Sequence, residues 1–514
     1  MSEAWSEGYF TDVGYTYGYY RDISPVFQRF CLLLRGLACD EPDNNAAHCE
    51  LGFGQGVSVN IHAATNLGQY VATDFNPAHA AHAISLAAAA GSNARLYDDS
   101  FEQLLNRQDL PQFDSISVHG IWTWVSRENQ KIIAEFARRH LKPGGIFYIS
   151  YNCFPGWSSA YPLRQMFVLH DRFASKAQGA VQRVNEALKF SESLLAANPV
   201  YARAVPGLAD RLKGIAQQDR HYLAHEYFNR DWNCMYFTDV VDALSTAKLD
   251  FATTAVPLDI VDPVNLSAEA IAFLATLEHP LLREQMRDYF VNQQFRKDLY
   301  LRGIRRLSPA EYHEQLLATR VALTTPAADV PLKVKSVLGE VTLQEAVYQP
   351  LIAALAAKDY APKSLQELAR SLPELLFPQL VQATAVLVGI GHATPCQPDS
   401  VVRQVRKTSS ALNQHLMERA RGGGDIPYLA SPVTGGGITV GRFQQLFLHA
   451  LGHGKKQPAD WAQHVWQILS LQGQKILKEG KPLDTAEDNL AELNTQAVTF
   501  AEKHLPILKA LGIA

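Results

Sequence analysis

The sequence predicts an α/β fold whose first part is a mostly parallel sheet with helices between its strands. Three observations carry this. A strand runs into a glycine-rich turn at Cys49-Glu50-Leu51-Gly52-Phe53-Gly54-Gln55-Gly56. Strand-like runs then alternate with helix-like runs, the pattern of βαβ units and a parallel sheet. Acidic residues, Glu50 and Asp74, close the first two of these strands.

Residues 1–44 precede the sheet and are rich in aromatics: Tyr9, Phe10, Tyr15, Tyr17, Tyr19 and Tyr20, interrupted by Gly14 and Gly18. Ser24-Pro25 then starts a helix with apolar residues at helical spacing. Glycines at 52, 54 and 56 allow a sharp turn and a close backbone approach to a ligand. Val57–Ala64 reads as the following helix, whose free N–H groups suit an anion or carboxylate. The spacing is E-x-G-x-G-x-G rather than the G-x-G-x-x-G of dinucleotide folds. Gly68–Asp74 is a second strand, placing a carboxylate roughly 20 residues past the glycines, where a βαβ unit can reach ribose hydroxyls. Asn76-Pro77 opens an alanine-rich helix. Leu96–Phe101, Phe113–Gly120 and Leu141–Tyr151 supply a third, fourth and fifth strand, and Asp114 reads as a structural cap or pair. Ser126 is an N-cap for the helix between the last two.

The order of E-x-G-x-G-x-G, Asp74, Asp99-Ser100-Phe101, Phe113-Asp114 and Leu141-Lys142-Pro143-Gly144-Gly145 resembles a class I S-adenosylmethionine-dependent methyltransferase. His119-Gly120-Ile121-Trp122-Thr123-Trp124-Val125 and Ser150-Tyr151-Asn152-Cys153-Phe154-Pro155-Gly156-Trp157 resemble bacterial methyltransferases that carry a methyltransferase regulatory domain, a group that includes the rickettsial protein lysine methyltransferases. The resemblance implies a Rossmann-like domain over 45–157 and S-adenosylmethionine as cofactor. It implies cofactor contacts from Tyr17, Glu50, Gly52, Gly54, Gly56, Asp74, Phe75, Asp99, Ser100, Phe101, His119 and Gly120. Glu50 would lie near the amino-acid end, Asp74 would take both ribose hydroxyls, and Asp99 would accept from the adenine amino group. His119, Tyr151 and Asn152 are the catalytic candidates, at the edge where an acceptor would enter. The tyrosine arm serves either as a lid excluding water or as simple packing on the domain. Trp124, Trp157, Tyr17 and Tyr151 suit an aromatic pocket that lowers a lysine pKa. An oxygen acceptor would need a base, for which His119 stands best.

Beyond the sheet, residues 158–325 read as a helical insertion and regulatory or acceptor domain. Its helices break at Asn198-Pro199 and Pro206-Gly207. A sixth strand falls at Phe251–Val256 and a seventh at Thr319–Thr325. His221, His225 and Glu226 share an H-x-x-x-H-E spacing that fits either a metal or, better, an acceptor-pocket wall or salt-linked surface; no metal is expected. Three helices within 330–395 suggest a winged-helix-like unit. Residues 396–514 read as a mostly α cap, with the glycines at 422–424 and 435–437 in a flexible loop that lacks the G-K-[ST] of a phosphate cradle.

The chain of 514 residues exceeds one hydrophobic core, and its net charge of −4 argues against an extended nucleic-acid surface. The six cysteines form no C-x-x-C pair, so no zinc ribbon is expected. No run of about 18 apolar residues spans a membrane. The start lacks the basic and apolar segments of a signal peptide, so the expected compartment is cytoplasmic. The expected partner is a protein or cell-surface acceptor, with a glycan, lipid or small-molecule oxygen as the alternative. A non-catalytic cofactor-binding regulator is a third reading, and a homodimer is compatible with all three.

Overall fold

The computed structural model describes residues 14–40, 43–177 and 179–514, so Tyr9 and Phe10 of the aromatic arm lie outside the described residues. The central sheet has seven strands: β1 Ala47–Leu51, β2 Gln69–Thr73, β3 Arg95–Tyr97, β4 Phe113–Val118, β5 Leu141–Asn152, β6 Asp250–Thr254 and β7 Phe295–Leu301. Their order is β3-β2-β1-β4-β5-β7-β6. The first five run parallel, while β7 is antiparallel to both β5 and β6. All five residues of β1 are buried, as expected of a central parallel strand covered on both faces.

Helices α1 Pro25–Leu34, α2 Val57–Thr65, α3 Pro77–Ala90, α4 Phe101–Leu105 and α5 Arg127–His140 accompany these strands. Local chemistry sets their ends. Asn76 accepts from the Ala78 N–H at the start of α3, and Gly91 closes that helix in the left-handed region. Ser126 accepts from the Asn129 N–H to start α5, whose last turn carries Arg138, Arg139 and His140 against the helix dipole. Asp114 takes the Lys142 ammonium and the Ala47 N–H, fastening β4 to its neighbours.

After β5 the chain builds α6 Tyr161–Phe173, α7 Ala180–Ala196, α8 Val200–Ala204, α9 Leu208–Ala216 and α10 Arg220–Phe228. It then returns to the sheet through β6 and β7. The strand expected at Thr319–Thr325 is present, but outside the central sheet, whose remaining strand is the unexpected Phe295–Leu301. Arg320–Leu323 pairs with Lys363–Ser364 and Ala393–Cys396 in a separate small sheet. The helices Glu345–Ala356, Leu365–Ser371 and Phe377–Gly389 accompany that small sheet.

Two large cores join distant parts of the chain. Val57, Ile61, Leu86 and Ala90, from α2 and α3, are buried with Leu412, Leu446 and Phe500 of the C-terminal helices. Phe27 and Phe30 of α1 are buried with Leu299, Leu351 and Leu387. The glycine-bracketed stretch expected as a flexible loop is instead an antiparallel hairpin, Tyr428–Ser431 with Gly436–Thr439. Asn413 anchors it through both the N–H and the carbonyl of Ala430. A Cβ at Gly436 would stand 2.4 Å from the Tyr19 hydroxyl, so these glycines admit the arm rather than loosen the chain.

Candidate active site

Strand order reverses between β1 and β4, and ligands in open α/β sheets bind at the carboxyl edge of such a point. A cavity of about 640 Å³ opens there. Glu50, Gly52 and Gly54 from the β1 exit line it, with Asp74 from β2, His119 and Gly120 from β4, and Ser150 and Asn152 from β5. Its far wall comes from Trp124, Trp157 and the helical insertion, including Tyr222, Glu226 and Tyr227.

The turn after β1 is shaped around Asp74. The Gly54 N–H donates to Asp74 Oδ2 at 2.8 Å, and the Asn76 N–H reaches Oδ1 at 3.1 Å. Gly54 has φ +56°, and a Cβ there would enter the cavity and meet only the Tyr15 ring, at 3.5 Å. That is bare backbone beside two acids. Burial first, and then the Asp74 charge, push the Glu50 carboxyl up to about 8. Two carboxylates sharing a wall call for a cation and hydrogen-bond donors. The ammonium tail and ribose hydroxyls of S-adenosylmethionine supply both, so the residues present fit that group.

His79, in the first turn of α3, was not among the residues singled out from the sequence. Its Nδ1 lies 3.1 Å from Asp74 Oδ1, and its Nε2 accepts the Tyr15 N–H at 3.3 Å. A backbone N–H can only donate, so a neutral ring carries its proton on Nδ1 and gives it to Asp74. The arm is thereby tied to the acid that faces the cavity. Gln55 adds a second tie by donating to the Tyr15 carbonyl at 3.1 Å. The signal in sequence is weak: His79 follows Asp74 by five residues, across a non-helical turn and the Asn76 N-cap.

The arm itself divides its tyrosines. Tyr15 and Tyr20 line the cavity, with Tyr15 edge-on to Trp124 and His225. Tyr17 does not. Its ring packs on His82 and beneath the Arg419 guanidinium, which corrects its expected cofactor contact. Gly56 also stands back from the cavity. A Cβ there would lie 2.3 Å from Ala83 Cβ, so its bareness serves the packing of α2 on α3.

Phe75 is half-buried beside Asp74 and lies outside the cavity lining. Asp99, Ser100 and Phe101 lie one strand further along the same edge, also outside that lining. The Asp99 carboxylate accepts from Arg107 at 2.8 Å, and its carbonyl from Thr73. Ser100 caps α4 in a reciprocal pair with Gln103. Phe101 packs on the core beneath the sheet.

The catalytic candidates separate by strand parity. Tyr151 borders the cavity, but its hydroxyl is turned into the sheet's core, where it donates to Asp298 at 2.7 Å. Its expected catalytic role is therefore corrected. His119 faces the cavity, but its Nδ1 lies 2.8 Å from the Tyr148 hydroxyl and its ring lies 3.9 Å from that of Tyr20. Burial pushes its imidazole down to about 3, which makes it a poor proton acceptor. Asn152 ends β5 with both ends of its amide hydrogen-bonded. The Trp157 indole donates to Oδ1 at 3.2 Å, and Nδ2 donates to Glu226 Oε1 at 3.2 Å. Asn152 is expected to accept from an incoming amine; in the structure it also holds Glu226. The H-x-x-x-H-E spacing is dispersed by its helix, with His221 exposed, His225 buried under Tyr15 and Glu226 in the cavity wall. Among the described residues no group of three His, Cys, Asp or Glu side chains is placed to hold a metal ion.

Fold and cavity together define a class I S-adenosylmethionine-dependent methyltransferase. The family model described as a methyltransferase domain matches residues 49–145, and that described as a predicted methyltransferase regulatory domain matches residues 219–302. The chain belongs to the family of methyltransferases joined to this regulatory domain, together with an uncharacterized protein of Synechocystis that is 40% identical over 514 residues, 99% of this chain and 100% of that one. An uncharacterized protein of Rickettsia prowazekii is 33% identical over 132 residues, 26% of this chain and 52% of its own. The fold is also that of PKMT2 from Rickettsia typhi in complex with AdoHcy, with a TM-score of 0.70 at 18% identity, covering 95% of this chain and 98% of that one. Among the described residues no helix is long and apolar enough to cross a membrane.

Proposed function

We propose that the chain transfers methyl from S-adenosylmethionine to the side-chain amine of lysine in a protein, in the cytoplasm. The observation that carries this reading is the placement of the cavity's carboxyl groups. Three carboxylates line it, Glu50, Asp74 and Glu226, against the single guanidinium of Arg211. Two of them serve the cosubstrate; the third stands on the opposite wall, among Trp157, Tyr222 and Tyr227. An aromatic passage ending at a carboxylate suits an ammonium on a slim apolar stem. The cosubstrate's base would extend past Asp74 and Phe75 toward Asp99, Ser100 and Phe101, with its methionyl tail on Gly52–Gly54. An oxygen acceptor fits less well, because burial leaves the histidine nearest the edge too weak a base and its Nδ1 is taken by the Tyr148 hydroxyl.

Methyl-labelled cosubstrate incubated with the chain and total cell-envelope protein, followed by acid hydrolysis, tests the reading. Labelled methyl-lysine is the expected product. Label released by mild base or by glycosidases would place the methyl on oxygen instead. Cosubstrate binding without any transfer would point to a regulator that keeps the fold alone.

A further inference from the structure

We propose that Glu226 is the base of the transfer: it receives the acceptor's ammonium and takes the proton that must leave nitrogen before the methyl arrives. The inference rests on the amine reading above and adds the residue that makes an amine reactive. A free lysine is an ammonium at neutral pH, with a pKa of about 10.4, and an ammonium has no lone pair to offer. A group inside the cavity that accepts this proton makes the amine reactive near neutrality, where few molecules lose it to water unaided.

The lining offers few candidates. Glu50 and Asp74 sit together at the exits of β1 and β2. His79 is taken by Asp74 and the Tyr15 N–H, and His119 is held by Tyr148 with the Tyr20 ring tilted against it. Glu226 remains. It is carried by α10 and touches Asn152 at the end of β5, two strands from Glu50, which is roughly 10 Å along the sheet edge. The end of β4, with His119 and Gly120, lies between. Donor and acceptor can thus approach from opposite sides of one cavity.

The carboxylate is built in, not incidental. Glu226 is 4% exposed and its Oε1 is held by two fixed donors, Asn152 Nδ2 at 3.2 Å and the Trp232 indole at 3.1 Å. Asn152 is fixed in turn by the Trp157 indole and by its own N–H on Thr123 Oγ1 at 2.9 Å. The chain is unidirectional, because an indole can only donate. The groups that face Glu226 from the elements around it are Arg164 from α6, which lies over the Trp232 ring and donates to the Asn229 carbonyl, and Tyr222 and Tyr227 from α10 itself. Burial pushes the carboxyl up to about 7, against the lowering effect of Trp232, Arg164 and Asn152. Such a group exchanges protons near neutrality.

In the step, an N–H bond of the ammonium breaks and an O–H bond forms on Glu226. The nitrogen pair set free then makes the N–C bond while the S–C bond of the methyl donor breaks, its pair going to sulfur. The product nitrogen is again an ammonium, and Glu226 returns its proton to water before the next turnover. Asn152 and Trp232 are positioning residues in this scheme.

The test is the pH dependence of initial methyl-lysine formation on total cell protein, for the native chain and for Glu226→Gln. The native rate should rise toward pH 7 and then level. E226Q should be slower by about 10²- to 10⁴-fold near neutrality. It should regain about tenfold per pH unit as the amine loses its proton unaided. A loss that is constant with pH, or no loss, would overturn the proposal. A second readout needs no turnover. At pH ~6, n-butylamine binding to the chain without cosubstrate should ionise Glu226 and bleach a protonated-carboxyl band in difference infrared spectra that E226Q lacks, which separates it from Glu50, also protonated there. A native spectrum without that band would also overturn it. If E226Q does not fold, Trp232→Phe keeps the carboxylate but removes one donor, and the acidic limb should move to higher pH; an unmoved limb counts against the proposal. Label on lysine with a flat E226Q profile ends the role of Glu226 alone, whereas label only on oxygen ends the amine reading itself.

Discussion

Asp74→Ala weakens S-adenosylmethionine binding by about 2–5 kcal/mol, the range for truncating one side of a buried, charged hydrogen-bond pair. That corresponds to roughly 30- to 4,000-fold in Kd. The carboxylate has two tasks that the variant removes together. It faces the cavity, where we propose that it takes the ribose hydroxyls, and it accepts from the Gly54 and Asn76 N–H groups to shape the glycine turn. It also holds His79, and through it the Tyr15 backbone of the arm. Titration calorimetry measures the loss, and a thermal melt shows whether the variant is still folded. A folded D74A chain that binds with native affinity would remove Asp74 from the site.

Arg296→Met destabilises the chain by about 3–5 kcal/mol, the penalty for leaving buried charges without their partner. Arg296 sits in β7 and reaches three carboxylates: Asp298 at 2.8 Å, Asp288 at 2.5 Å and Glu284 at 2.7 Å. Tyr151 donates to the same Asp298. Burial already raises Asp288 to about 7 despite the guanidinium. Without Arg296 these acids keep protons in the folded state that the unfolded chain, ionising near pH ~4, has released. The folded state then binds more protons than the unfolded one, so the variant's stability falls as pH rises. Denaturant titrations at pH ~5 and pH ~8 should therefore show the larger loss at the higher pH. A loss under ~1 kcal/mol at both, as for exposed ion pairs, would mean the cluster is solvated.

This cluster also shows where reading a sequence stops. Phe295–Leu301 places Arg296 and Asp298 on one face of a strand, which looks like a face in water. Their burial is made possible by Glu284 and Asp288 on the preceding helix, Pro280–Val291, only 12 and 8 residues back. Those carboxylates reach Arg296 through the way that helix packs on the strand rather than through any strand or helix period. The glycine turn, Glu50 and Asp74 were legible because their spacing is local to one βαβ unit. Tyr151 was misjudged although strand parity alone separates it from Ser150 and Asn152. Tyr17 was chosen over Tyr15 and Tyr20 because an arm without regular structure has no period from which to choose. Glu226 could be placed near an acceptor wall, but its tie to Asn152 spans 74 residues and exists only in the fold.

A structure determined with S-adenosylhomocysteine bound tests the central claim most directly. The expected result has the ribose hydroxyls on Asp74, the amino-acid tail along Gly52–Gly54 beside Glu50, and the sulfur turned toward the wall of Asn152 and Glu226. A nucleoside seated elsewhere, or a sulfur facing away from that wall, would contradict it.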